Sequence, residues 1–226
     1  MSEGMAAHKR APQGLGATGA AAAAGLLLAV SGLLGLDGLI ARAELSGGGL
    51  LGGGVALLDL LSGKDITNFL LGPALILIAL VGYAARRRWP WPAGLLYVGT
   101  AQSLCTVIAD FAKPPFGRLR PFQALAGGHW SDHWFSGADY GSFPSGHVAF
   151  YAGLCVPLAL LFPRWAAPLL AVPLLVGTER ILSHDHYPSD VGASFLLAAL
   201  VAGGLRYLID RREMRAGVRL PNLGRV

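Results

Sequence analysis

Apolar residues along this chain come in long blocks separated by short polar stretches. Six blocks run from Ala17 to Ile40, Asn68 to Ala85, Ala93 to Ala112, His147 to Phe162, Ala166 to Leu182 and Asp190 to Ile209. A helix crossing a bilayer needs about 20 mainly apolar residues, within a range of roughly 17–25. The pattern therefore predicts an all-α membrane protein, with six transmembrane helices in a single domain, 1–226. Pro157, Pro168 and Pro173 fall in the fourth and fifth blocks, where kinks or a frayed helix start are expected. Gly47 to Ser62 is apolar but short and glycine-rich, and is assigned to a loop plus an interfacial helix. The first block is flanked by His8, Lys9 and Arg10 and by Ala41-Arg42-Ala43, as a signal peptide would be. Its apolar run is longer than the usual core of such a peptide, so it is expected to stay as a span.

Composition agrees with a lipid environment. Hydrophobic residues make up 54% of the 226 and charged residues 14%, with a mean hydropathy of +0.53. Soluble domains carry about a quarter charged residues. The 32 glycines show no collagen-like period and mark no linker; small residues in apolar helices let backbones approach closely. A net charge of +5 does not point to nucleic acid, because the basic residues gather at the ends of apolar blocks, where they set topology. With a cytoplasmic N-terminus, the cytoplasmic side receives Lys9, Arg10, Arg86 to Arg88, Arg164, Arg206, Arg211, Arg212, Arg215, Arg219 and Arg225, which is 12 of the 18 basic residues. The opposite side receives Arg42, Lys64, Lys113, Arg118, Arg120 and Arg180. Both termini are thus expected inside, with Trp89 and Trp91 anchoring at the interface. Cys105 and Cys155 lie inside apolar blocks and are expected to be buried small hydrophobes.

Three segments between the blocks hold groups that the blocks avoid. They are Lys113 to Pro121 (KPPFGRLRP), Phe143 to His147 (FPSGH) and Arg180 to Asp190 (RILSHDHYPSD). Six spans place all three on the non-cytoplasmic side. Lys113, Arg120 and Arg180 suit a phosphoryl group, arginine by bidentate contacts and lysine as a point charge. Pro144 to His147 are expected to form the first turn of the fourth helix, with Ser142 as a candidate cap and backbone N–H groups turned to an anion. His186 and Asp190 are four apart at the entrance of the sixth helix, so the carboxylate can fix the imidazole tautomer and leave one ring nitrogen to attack phosphorus. His147 is a candidate to protonate the departing oxygen.

The ordered motifs K-x6-RP, PSGH and R-x5-H-x3-D resemble the type 2 phosphatidic acid phosphatase (PAP2) superfamily, which includes lipid phosphatases, glucose-6-phosphatase and vanadium haloperoxidases. The resemblance covers Lys113 to Asp190, about a third of the chain. It implies a PAP2-like bundle with the active site at the non-cytoplasmic helix ends. Lys113, Arg120, Ser145, Gly146 and Arg180 would bind phosphate, His147 would be the general acid, His186 the nucleophile that becomes a phosphohistidine, and Asp190 its partner. It also implies no metal and no cofactor. One departure is Glu179-Arg180, where the family's third motif usually opens Ser-Arg; a glutamate there must turn away or pair with a base such as Arg180.

The remaining polar residues have plainer assignments. His129, Asp132, His133 and Asp139 lack a recognised metal-ligand spacing and are assigned to loop structure. His184 and Asp185 are expected to line the site without doing chemistry. Asp37, Asp59 and Asp110, near span ends, are assigned to the interface, and Asp190 also suits the N-terminal end of a helix dipole. The resulting expectation is a phosphatase of a bacterial inner membrane, acting from the periplasmic side on a lipid phosphate or pyrophosphate held in the bilayer. Candidate substrates are undecaprenyl pyrophosphate, phosphatidylglycerol phosphate, phosphatidic acid and lipid A phosphates. Two alternatives stay open: phosphotransfer to a lipid acceptor through the same phosphohistidine, and a non-catalytic anion or lipid transporter. A transporter would need the cations but not an oriented nucleophile.

Overall fold

The computed structural model describes residues 15–43, 49–62, 68–85, 91–126, 134–135 and 141–216. The expectations for His8 to Arg10, Lys64, Arg86 to Arg88, Trp89, the loop start at Gly47, His129, Asp132, His133, Asp139, Arg219 and Arg225 lie outside these residues. Among the described residues the chain is helix and turn, with no strand. The helices are α1 (Leu15–Ser31), α2 (Asp37–Arg42), α3 (Gly49–Ser62), α4 (Leu71–Ala84), α5 (Trp91–Phe116), α6 (Pro121–Ala126), α7 (Gly146–Leu161), α8 (Ala166–Leu182) and α9 (Pro188–Ala216).

All six expected spans are helical, but they differ in reach. Among the described residues four stretches, Ala21–Arg42, Trp91–Ala126, Pro163–Leu182 and Pro188–Arg212, are long and apolar enough to cross a membrane by length and composition. The second and fourth expected spans are shorter: α4 has 14 residues and α7 has 16. At 1.5 Å per residue these are about 21 and 24 Å long, against a hydrocarbon core of about 30 Å. Gly47 to Ser62, expected as a loop plus an interfacial helix, carries a helix from Gly49 that packs against α8. Helices α7 and α8 run through Pro157 and Pro173. Leu34, Phe111, Leu77 and Leu200 point outward, Leu34 82% exposed and Phe111 76%, as a lipid-facing surface requires.

The core lies between α5, α7, α8 and α9, where Cys105, Val148, Phe150, Tyr151, Val176, Val191 and Ala198 are buried together. Helix α1 lies along α9. The two backbones meet at Gly25 and Gly192: a Cβ on Gly25 would stand 2.7 Å from the Leu196 nitrogen, and one on Gly192 would stand 2.5 Å from the Ala29 nitrogen. Any side chain there would force the helices apart, which is the small-residue contact expected of apolar helices.

The first span does not run straight. A wide π-type turn at Gly32–Leu36 separates α1 from α2, and within it Gly35 has φ 138°. That left-handed backbone is open to glycine and strained for other residues. The break carries Asp37 into the interior, where it is 3% exposed.

Candidate active site

The three polar segments meet, and backbone hydrogen bonds stitch each to the other two. The Ser142 N–H donates to the Arg118 carbonyl (3.2 Å), the Phe122 N–H to the His184 carbonyl (3.1 Å) and the Ser145 N–H to the Asp190 carbonyl (3.3 Å). Helix α5 stops after Pro114 and Pro115, and Gly117, at φ 47°, turns the chain toward Arg118. At the end of α8 the Asp185 and His186 N–H groups both donate to the Arg180 carbonyl (3.0 and 3.1 Å). This compact turn holds His184 at φ 58°, an uncommon conformation for a residue with a side chain.

His186 is nearly enclosed, at 3% exposure. Its Nδ1 lies 2.8 Å from the Ser142 carbonyl oxygen and 3.4 Å from Asp190 Oδ2. A carbonyl oxygen only accepts, so Nδ1 carries the proton and Nε2 keeps its lone pair. The Asp190 carboxylate lies beside Nδ1, as the four-residue spacing suggests, and the Ser142 carbonyl is a second, nearer partner. Asp190 Oδ2 itself accepts from the Ser142 hydroxyl (2.6 Å) and the Tyr187 N–H (2.9 Å).

Ser142 is therefore not the cap of the fourth span. That cap is Ser145, whose Oγ accepts from the Val148 N–H (3.4 Å), and the helix begins at Gly146 rather than Pro144. Ser145 is also fixed through its carbonyl, which accepts from the Ser194 hydroxyl (2.9 Å). The peptide bond between Phe143 and Pro144 is cis. The Lys113 ammonium lies over Gly146, 3.1 Å from where a Cβ would stand, and is paired with Asp110 Oδ1 at 3.0 Å. Any larger residue at 146 would crowd that cation.

The two expected phosphate-binding arginines share one carboxylate. Asp185 accepts from Arg120 at 3.3 Å and from Arg180 at 3.1 Å. Glu179, 4% exposed, accepts from Arg180 Nε, so the unusual glutamate pairs with the arginine beside it. Asp185 thus does more than line the site: it spans the two cations with the geometry of a bridging anion.

Arg118, which lies in the first polar segment without an individual role assigned from sequence, is fully buried. It donates to Asp190 Oδ1 (2.6 Å), the Ser189 hydroxyl (2.6 Å) and Asp37 Oδ2 (2.8 Å). Its guanidinium lies 4.3 Å from the Trp134 ring centre and 3.9 Å from that of Tyr187, both within cation–π range. Asp37 also accepts from the Ser189 N–H at 3.0 Å and from the Ser189 hydroxyl. Asp59, expected at the interface, is 7% exposed. Its Oδ2 lies 3.4 Å from His147 Nε2, and its Oδ1 accepts from the Tyr151 hydroxyl at 2.7 Å. A signal for both aspartates was present, since an ionisable residue inside an apolar stretch is costly enough to imply a role.

Residues 93–214 match the sequence model of the PAP2 superfamily. The chain is 36% identical over 109 residues to the lipid A 1-phosphatase of Rhizobium etli, covering 48% of this chain and 45% of that protein. It is 36% identical over 94 residues to the lipid A 1-phosphatase of Rhizobium johnstonii, covering 41% and 38%. It is 37% identical over 75 residues to an acid phosphatase of Zymomonas mobilis, covering 33% and 28%. The matched stretch spans less than half the length of each of these relatives. No solved structure matches the chain.

Proposed function

Because the chain belongs to the PAP2 superfamily, we propose that it is a membrane-bound phosphatase that removes a phosphoryl group from a lipid phosphate or pyrophosphate through a phosphohistidine. One observation carries this reading. His186 Nδ1–H is held by the Ser142 carbonyl at 2.8 Å, so Nε2 has a lone pair, on a turn that also carries Arg180 and that backbone hydrogen bonds tie to the segment of Arg120 and to the start of α7. A site that merely bound anions would need the cations but not this oriented imidazole.

In the proposed reaction the phosphoryl oxygens take the place of the Asp185 carboxylate between Arg120 and Arg180. Lys113 and the Gly146 and His147 N–H groups, at the start of α7, neutralise the third oxygen. His186 Nε2 attacks phosphorus as the bond to the leaving oxygen breaks, and His147 gives that oxygen its proton. Asp190, 3.4 Å from Nδ1, offsets the positive charge on the phosphorylated ring. Water then cleaves the phosphorus–nitrogen bond and restores His186.

Similarity to two lipid A 1-phosphatases makes a glycolipid 1-phosphate the first substrate to test. Undecaprenyl pyrophosphate, phosphatidylglycerol phosphate and phosphatidic acid follow. Purified protein in detergent is given each lipid, and released phosphate is measured. Release from at least one is expected, undiminished by EDTA and inhibited by vanadate, because fixed cations supply the charge stabilisation. Absence of release from every lipid overturns the reading, and strict Mg²⁺ dependence overturns its metal-independent form.

We also propose that six helices cross a bacterial inner membrane, with the active-site mouth toward the periplasm. The surplus of arginines near Arg206, Arg211 and Arg212 supports a cytoplasmic end of α9. The short α4 and α7 suit a bilayer thinned or indented at the site, which costs fractions of a kcal/mol per Å. Cysteines at Ala126 and Arg212, introduced after Cys105 and Cys155 are replaced by alanine, test this in intact spheroplasts. An impermeant thiol reagent should label position 126 at once and position 212 after the membrane is opened. The reverse pattern places the site in the cytoplasm.

A further inference from the structure

The residue that lies against the proposed general acid comes from outside the stretch that matches the family. Asp59 sits on α3, whereas the family match begins at residue 93. Its carboxylate lies 3.4 Å from His147 Nε2. It is held from the other side by the Tyr151 hydroxyl at 2.7 Å, one turn along α7 from His147. Tyr151 is 2% exposed and Asp59 7%. Helix α3 reaches this position by packing against α8. A buried carboxylate held by a tyrosine hydroxyl and set against an imidazole needs a reason, because desolvating it is expensive.

We propose that Asp59 is the positioning residue for His147: it holds the ring through Nε2–H, so that proton delivery to the leaving oxygen falls to Nδ1. An imidazolium has two N–H donors. The carboxylate keeps one, and the other leaves as the bond from phosphorus to the leaving oxygen breaks and the bond to His186 Nε2 forms. The neutral ring that remains retains Nε2–H on Asp59 and is ready to take a proton from the water that cleaves the phosphohistidine. Tyr151 fixes the carboxylate in turn. This assignment rests on the phosphatase reading above, since it presupposes that His147 acts as the acid.

The test compares leaving groups. A proton donor matters most when the departing alkoxide is a poor leaving group and little when it is an activated phenolate. For Asp59→Asn, kcat/KM on an alkyl or lipid phosphate, which reports the step that expels the leaving oxygen, is expected to fall about 10–100-fold, a part of what a general acid contributes. On 4-nitrophenyl phosphate kcat/KM should fall less than about fivefold by the same leaving-group argument. Asp59→Glu should recover part of the loss. Asp59→Asn added to His147→Ala should cost nothing further, because the residue acts through that ring. Equal losses on both substrates, or an additive double variant, overturn the proposal. If Asp59→Asn fails to fold, Tyr151→Phe, which keeps the carboxylate but removes its tether, must show the same leaving-group bias in milder form. Absence of that bias also overturns it. Wild-type protein inactive on every phosphate ester would instead sink the phosphatase reading itself, so the two failures are distinct.

Discussion

His186→Ala is expected to abolish phosphate release, with a loss of at least about 10³-fold, and to remove any acid-labile phosphoenzyme. The size follows from the proposed role: without Nε2 no covalent intermediate forms, and the surrounding cations retain a substrate that nothing attacks. The fold should tolerate the change, because the ring's one strong tie is to a backbone carbonyl at 2.8 Å, and that segment is still stitched by the Ser145–Asp190 and Ser142–Arg118 backbone bonds. Substrate binding is therefore expected to survive, measurable as competition by the inactive variant for a limiting lipid. Turnover above a few per cent of wild type, with the protein folded, would remove His186 from the nucleophile's role. Loss of both binding and fold would show that the ring is structural.

The largest effect on stability is expected at Arg118. Its guanidinium lies between Asp37 and Asp190 with no exposed side-chain surface. Removing one partner of a buried ion pair costs about 3–5 kcal/mol, because the remaining charge is neither solvated nor paired. In Arg118→Met two carboxylates are left facing each other. The unfolding midpoint in detergent should fall by on the order of 10 °C, and phosphate release should fall with it as Asp190 shifts behind His186. Adding Asp37→Asn removes one of the stranded charges, so the double variant should be more stable than Arg118→Met alone. That non-additivity separates a charge effect from a lost contact. An Arg118→Met protein as stable as wild type would mean that the network carries little energy.

The helices were legible from apolar block length, and the site from the types and spacing of its polar residues. Lys113, Arg120, Ser145, Gly146, His147, Arg180, His186 and Asp190 lie in segments that the structure brings together. What pattern could not supply was the partner of each group. The four-residue spacing pairs Asp190 with His186, and the carboxylate lies 3.4 Å from Nδ1, but spacing along a helix does not reveal a carbonyl arriving from another segment. The Ser142 carbonyl is such a group, 44 positions away in sequence. Asp37 and Asp59 each lie near the end of an apolar run, a position that reads as interfacial in the sequence. Depth depends on how the run bends, and a single backbone angle at Gly35 turns Asp37 inward. Ser142 and Ser145 are alike in type, so identity does not say which of them caps α7; hydrogen bonding does.

The close crossing of α1 and α9 at Gly25 and Gly192 also bears on how this protein can be recombined with its relatives. The stretch that matches the family begins at residue 93, which invites treating it as a portable cassette. The crossing makes that boundary false as a unit of exchange. Helix α9, which carries Asp190, has a glycine face moulded to α1, and α1 leads through the break at Gly35 to the aspartate that balances Arg118. A chimera joining a foreign N-terminal half to residues 93–214 would therefore have to bring matching small residues and a correctly placed carboxylate. Otherwise the graft would keep all three motifs and lose the charge partner that steadies them. Crossovers that keep α1, α2 and α9 from one parent are the ones this architecture favours, and their survival in a shuffled library can be counted by sequencing the active clones.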